Sequence, residues 1–404
     1  MPTVQGAGSV NPTITNGTNT VVFAQAASVI QGAFNVQPAT VGGGFTSPTV
    51  APGAIGELVV NSNTGASVYA PGFQYFVVGD ALNPISVTAG GAFNQAVILG
   101  AGSMSFFAGG GSGTLVGGDG NKLINLGAAS SFAVYTGNGN DTIVSGSSQA
   151  GGRNTIEAGA GGNSITLGAA QTEIRSTGTD TIGVSAGSAT IQALGNAQVS
   201  VSGGSGARTV INASGSATVS GGAGAATVLG GTGGGQFTGG SAGNNLLIGG
   251  PGTSYLTGAG DGDVLIATSA SATQVVQAGS GNETLLGSLS SANNVFAAGT
   301  GNDLIIAGPG NDTIYGGSGA STVTGGSGFD VFLFNSIRSR GGSVTITDFK
   351  PGTDRVSLVG YADQPGNLAA AAQQPTATSS RVVLSDGTSI TFLGLSSVNA
   401  SYFG

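Results

Sequence analysis

The chain has no cysteine, no histidine and no tryptophan, and only nine basic side chains among 404 residues. Each absence removes a class of chemistry. Without histidine there is no Ser-His-Asp triad, no imidazole zinc site and no histidine general base. Without cysteine there are no disulfides, no thiolate nucleophile and no sulfur ligation of zinc or iron–sulfur clusters. Two lysines and seven arginines, none of them clustered, do not make the electropositive footprint that nucleic acid requires. No apolar run approaches the roughly 20 residues of a membrane-spanning helix, so no transmembrane segment is expected. The first residues, MPTVQGAGSVNPTITNGTNT, show neither the basic region nor the compact apolar run of a secretory signal peptide.

What is present is glycine, 79 residues of it, in a chain that is 6% charged and 6% aromatic with a net charge of −8. Such a composition ordinarily belongs to disordered, low-complexity chains. Here apolar residues are plentiful, the mean hydropathy being +0.26, and the glycines recur with a period.

Three regions follow from texture. Residues 1–96 hold seven of the 12 prolines and only two acids, Glu57 and Asp80, with β-rich runs such as GELVV, ASVYA and GFQYFVV. They read as an N-terminal β-rich module. GFQYFVV is either an exposed apolar patch available for assembly or a buried strand. Residues 97–334 consist of short apolar pairs between Gly-rich turns, and residues 335–404 read as a mixed cap of strands with one small helix.

The period is clearest in residues 298–333. Asp303, Asp312, Ser321 and Asp330 fall nine residues apart, and two places after each comes Ile305, Ile314, Val323 or Phe332. Gly301, Gly310, Gly319 and Gly328 hold the same phase. A nine-residue unit of turn plus three-residue strand predicts an all-β fold, a parallel β-roll or β-solenoid in which two repeats make one coil. Upstream, in 185–260, the step persists but the acidic slot is degenerate: Arg208, Ala217, Ala226, Gly235, Asn245 and Ser254 occupy it. TGNGNDTIV around Asp141 is again intact. A solenoid of this kind needs a cap at its open end.

These residues resemble the hemolysin-type calcium-binding repeats of the RTX family, whose nonapeptide is G-G-x-G-x-D-x-U-x. The GGSGFDVFLF and TITDFKPGTDRVSL segments look like the closing segment of such arrays. The resemblance implies Ca2+ as the bound ion, an extracellular or bacterial cell-surface location, and export by a type I system that reads an uncleaved signal within residues 335–404. Calcium seeks six to eight oxygens from carboxylates and carbonyls. On the family pattern those donors are Asp312 and Asp330 with the carbonyls of Gly308, Gly310, Gly326 and Gly328 on one side of the roll. On the other side they are Asp303 with Gly299, Gly301, Gly317 and Gly319, where Ser321 faces Asp303. Asn294 faces Asp312, and Asp141 is an isolated candidate. The competing reading is that Asp and Asn in such turns cap their own backbone. Lys122, Arg153 and Arg175, the basic residues of the upper solenoid, read as solvated or capping.

No catalytic residues are expected. The favoured role is a secreted, calcium-binding structural protein that self-associates into a surface layer, filament or biofilm matrix, with calcium and a cell-surface polysaccharide as partners and no nucleic acid. The alternatives are a polysaccharide-active enzyme and a glycan- or ice-binding adhesin on the same scaffold.

Overall fold

The computed structural model describes residues 36–404 apart from 42–43, 47, 51–54, 61–64, 81, 90–95, 128–130, 147–151 and 213. Residues 1–35 of the N-terminal module therefore lie outside the described residues. The protein is a nearly all-β parallel solenoid. It divides into two compact units, Met1–Ala207 and Arg208–Gly404.

In the first unit successive strands alternate between two parallel ladders, so two strands complete a coil. One ladder runs through Val36–Val41, Ile55–Val60, Phe73–Val78, Ala96–Leu99, Ser112–Gly117, Ser131–Tyr135, Arg153–Ala158, Gln171–Ser176 and Ala189–Ala193. The other runs from Gly44–Thr46 through Lys122–Asn125 and Thr142–Val144 to Gln198–Gly203. Neither strand nor turn is long enough to bury anything alone. Stacked ~4.8 Å apart, each strand satisfies its backbone groups on its neighbours.

The ladders pass residue 96 without interruption: Tyr75 pairs with Ala96, and Ala96 with Thr114. The described part of residues 36–96 thus has the same coil architecture as the stretch after it. GFQYFVV is a buried strand, with Phe73, Phe76 and Val77 at 2% exposure or less. It is not a surface patch.

In the second unit one ladder stacks Ala217–Ser220, Gly235–Thr238, Ser254–Thr257, Val275–Gln277, Val295–Ala297, Thr313–Tyr315, Val331–Asn335 and Arg355–Val359. Its central residues Phe237, Leu256, Val276, Phe296, Ile314, Phe332 and Val356 form a continuous buried column. The facing ladder stacks a column from Val210 to Val344 in the same way. Coil length varies with turn size. The step is 18 residues from Val295 to Thr313 but 20 from Tyr255 to Val275 and 24 from Val331 to Arg355. Shortening one column residue, Ile314→Val, should cost about 0.5–1.5 kcal/mol in chemical denaturation. A variant as stable as wild type would show that the column is loosely packed at that level.

The turns stack as closely as the strands. A Cβ on Gly319 would sit 1.7 Å from the Gly301 carbonyl oxygen, and one on Gly326, whose φ is +100°, would sit 1.9 Å from that of Gly308. Only glycine fits these two places.

At the C-terminal end Ser343–Ile346 pairs in parallel with Ser389–Leu393, which runs antiparallel to Ser379–Val383. Phe349 packs on Phe332, Phe392 and Tyr402 with ring centroids 5.9, 5.1 and 5.2 Å away. The short helix Pro365–Ala370 buries Leu368. The last parallel strand is thereby covered instead of being left as an open edge.

Candidate metal centre

The sixth residue of each repeat enters its strand from a Gly-rich turn, with its side chain folded inward. There it does the same work in coil after coil: its side-chain oxygen accepts the backbone N–H of the equivalent residue one coil earlier. Gln274 N donates to Asn294 Oδ1 at 3.1 Å, Asn294 N to Asp312 Oδ1 at 2.7 Å, Asp312 N to Asp330 Oδ1 at 2.9 Å and Asp330 N to Asp354 Oδ1 at 3.2 Å. On the facing side Ala226 N donates to Asn245 and Asn245 N to Asp263. Further along, Glu283 N donates to Asp303 Oδ1 at 3.1 Å. In the first unit the same chain joins Lys122, Asp141, Asn163 and Asp180. One acceptor oxygen suffices for this ladder, which is why Asn and Asp interchange at the slot.

The second side-chain atom separates the two residue types. Asparagine turns its Nδ2 back onto carbonyls of its own turn: Asn245 to Gly240 O at 2.8 Å, Asn294 to Ala292 O at 2.9 Å and Asn163 to Gly159 O at 3.2 Å. An aspartate has an oxygen in the corresponding place and nothing to donate. Asp303 and Asp263 give theirs to turn amides, Asp303 Oδ2 accepting Gly299 N at 2.9 Å and Asp263 Oδ2 accepting Ala259 N at 2.8 Å. Asp312 Oδ2 and Asp330 Oδ2 are fully buried and accept no hydrogen bond. An unmatched buried carboxylate oxygen is expensive. It calls for a cation, or for a proton.

Electrostatics agree. Burial pushes both carboxyls up to about 6; the charge of Asp330 adds to this at Asp312, and those of Asp354 and Asp348 add to it at Asp330. Burial likewise raises Asp141 and Asp180, where the hydroxyls of Thr136 and Ser176 and neighbouring amides work in the opposite sense. Asp141 has no carboxylate in either adjacent slot, which are held by Lys122 and Asn163.

The residues singled out by the nonapeptide phase fall into two turn stacks. Gly308 pairs with Gly326, and Gly328 packs on the Gly310 carbonyl, beside Asp312 and Asp330. Gly317 and Gly319 pack on the carbonyls of Gly299 and Gly301, beside Asp303. Several of these carbonyls already serve the backbone: those of Gly299, Gly308 and Gly319 accept an N–H from the following coil. The Gly326 carbonyl accepts the Lys350 ammonium, which leaves it a poorer donor to a metal than its place in the motif implies. Asp303 does face Ser321, whose buried hydroxyl has no hydrogen bond. Its other neighbour is an acid that nonapeptide counting passed over. Glu283 lies one coil earlier, its Oε1 accepting Gly279 N at 2.9 Å. Its carboxyl is raised by burial and by the adjacent Asp303 carboxyl. GSGNETLL carries the turn pattern with Glu in place of Asp, but the coil there is 20 residues long. A count by nines therefore skips it.

Among the described residues no three acids converge on one point. Carboxylates come instead as stacked neighbours, Asp312 with Asp330 and Asp330 with Asp354 on one side and Glu283 with Asp303 on the other. The buried, unmatched oxygens and the hard, all-oxygen surroundings fit a calcium ion, with turn carbonyls completing its shell. Asp312 and Asp330 would hold it, and calcium would supply the positive charge that the buried pair lacks.

The comparison with known families agrees with this geometry. The model of the RTX calcium-binding nonapeptide repeat matches four segments, residues 134–148, 239–269, 288–323 and 297–332. They include Asp141, Asn245, Asp263, Asp303, Asp312 and Asp330. No curated protein matches the chain. The solenoid, its stacked inward acids and these four matches together show that the chain carries the RTX calcium-binding nonapeptide repeat.

Proposed function

We propose that this is an exported structural protein whose C-terminal coils close around calcium outside the cell. The observation that carries the reading is the pair of buried, unmatched oxygens on Asp312 and Asp330, one coil apart. In a calcium-poor cytosol the two carboxylates oppose burial and keep their coils open, a form suited to passage through a type I exporter. Calcium binds only the closed coils and stabilises them by mass action. The calcium-poor coils upstream then add to a finished template. Calcium titration followed by circular dichroism tests this. The β signal should rise with calcium and fall with chelator, and a signal indifferent to both would overturn the reading.

The structural role is supported by a surface with few charges and isolated exposed apolar side chains such as Phe45, Leu82, Leu289 and Ile337. Self-association at a cell surface or in a matrix is the role this reading assigns to that surface. Negative-stain electron microscopy should show sheets or filaments in millimolar calcium and none in chelator. Isolated particles in both conditions would move the role to binding.

One observation favours a second reading, a glycan-binding or polysaccharide-active face. A shallow polar groove of about 450 Å3 crosses the first unit, lined by Arg153, Asn154, Gln171, Glu173, Thr190 and Gln192. A glycan array and a depolymerisation screen distinguish the two outcomes.

A further inference from the structure

We infer that Lys122 is a tethered cation, permanently filling a turn built on the calcium-binding pattern. Residues 117–122 read GGDGNK, the G-G-x-G-x-D turn with lysine in the acidic slot. The register confirms the slot: Lys122 pairs with Met104, and its N–H donates to Asp141 Oδ1 at 2.7 Å, as Asp141 N does to Asn163 Oδ1 one coil on. A lysine there could turn outward to water. This one is 2% exposed, and its Nζ donates to Gly102 O at 2.9 Å, Asp119 O at 2.9 Å and Gly120 O at 2.8 Å. An ammonium has three protons, and each finds a carbonyl. Gly102 and Gly120 hold the same place in successive turns, two residues before Met104 and Lys122. A Cβ on Gly120, whose φ is +92°, would come within 2.9 Å of Gly102 N. Glycine is what allows the two turns, and hence the carbonyls, to close on a single ammonium.

The charge balance is the same as that of a metal site. An aspartate with a bound Ca2+ contributes +1 to the turn, and so does a lysine alone. Burial lowers the Lys122 ammonium to about 8, and the charges of Asp141, Asp119 and Asp80 oppose that shift, so the group is cationic at neutral pH. A related basic slot recurs where the second unit begins, with arginine in place of lysine. Residues 203–208 read GGSGAR, and Arg208, 2% exposed, donates from Nη2 to Gly224 O at 3.0 Å. Gly224 stands two residues before Ala226, the register partner of Arg208. Both basic repeats lie outside the segments matched by the family model. The coils around Lys122 therefore close without calcium, whereas those around Asp312 and Asp330 are destabilised until calcium binds.

This inference rests on the calcium reading only for what the cradle would otherwise hold. The test is the Lys122→Asp variant of the full chain, with bound calcium measured by atomic emission after dialysis. Hydrogen exchange of residues 100–125 is followed in chelator and in millimolar calcium. Lys122→Asp should bind one more calcium per chain than wild type. Its 100–125 amides should lose protection in chelator and regain it with calcium, while wild type stays protected in both. No added calcium and no recovery would overturn the inference, as would a variant that fails to fold even in calcium. A wild-type chain that binds no calcium, beside a variant that binds one, would sink the reading of Asp312 and Asp330 and leave this one standing. Lys122→Met keeps the stem and removes the charge. It should lose protection in a way that calcium does not restore, and full protection in that variant would also overturn the inference.

Discussion

In chelator, the Asp312→Asn/Asp330→Asn double variant will melt at a higher temperature than the wild-type chain, and calcium will no longer raise it. The direction follows from the two jobs of the slot. Asn245 and Asn294 show that an asparagine oxygen serves the ladder as well as an aspartate, accepting from Ala226 N and Gln274 N, while its Nδ2 satisfies turn carbonyls. The substitution therefore keeps both backbone hydrogen bonds and removes two buried, unmatched carboxylate oxygens. Each such oxygen costs about 1–3 kcal/mol. It also removes the calcium contribution, about 4 kcal/mol per site when free calcium is a thousandfold above the dissociation constant. Wild type should thus be the less stable protein in chelator and the more stable one in calcium. Scanning calorimetry of both chains under both conditions measures the crossing. The corresponding alanine pair lacks the ladder acceptor and should be destabilised in either condition. An asparagine variant that still responds to calcium would place the ion elsewhere.

Acid should act in opposite senses on the chelated and calcium-loaded protein. Asp312 and Asp330 titrate at about 6 in the fold and near 3.9 in the unfolded chain. A carboxyl whose folded value is raised contributes stability below its unfolded value and loses it as pH rises through the folded value. The chelated protein should therefore grow less stable between pH 4 and pH 7, by on the order of a few kcal/mol for the pair. With calcium the order reverses, because the ion needs the charged carboxylates and protons compete for them. The calcium midpoint should rise as pH falls below 6. Denaturant unfolding at pH 4.5 and 7.5, with and without calcium, reads both signs. A chelated protein that gains stability toward neutral pH would mean that Asp312 and Asp330 are satisfied by something other than a proton or a metal.

The stretch from Asp303 to Asp330 shows how much of this site could be read in advance. Its strict nine-residue phase places Asp330 one coil beyond Asp312, Ser321 beside Asp303 and Asn294 beside Asp312, as the ladders do. Glu283 escaped because two extra residues per coil break the phase without breaking the stack. Lys122 escaped for a different reason. A lone lysine on a glycine-rich chain reads as solvated or capping, and only the stacked turns, which bring three carbonyls within reach of its ammonium, make it a buried cap. The N-terminal β-rich texture was legible, but not its continuity with the coils that follow, because parallel pairing depends on register and leaves no mark in composition.

What the sequence by itself determined is the repeat: glycine where turns must stack, an apolar residue two places after the slot and, in the regular repeats, an oxygen-bearing residue in the slot. Those are short-range demands, met within nine residues, so they are written where they act. What only the tertiary structure decided is the state of each slot. Whether its oxygen is matched depends on the residue one coil away and on which turn carbonyls close over it. Residues 17 to 24 positions apart, at spacings set by turn length, thus determine whether a slot's second oxygen meets a turn amide or is left buried and unmatched.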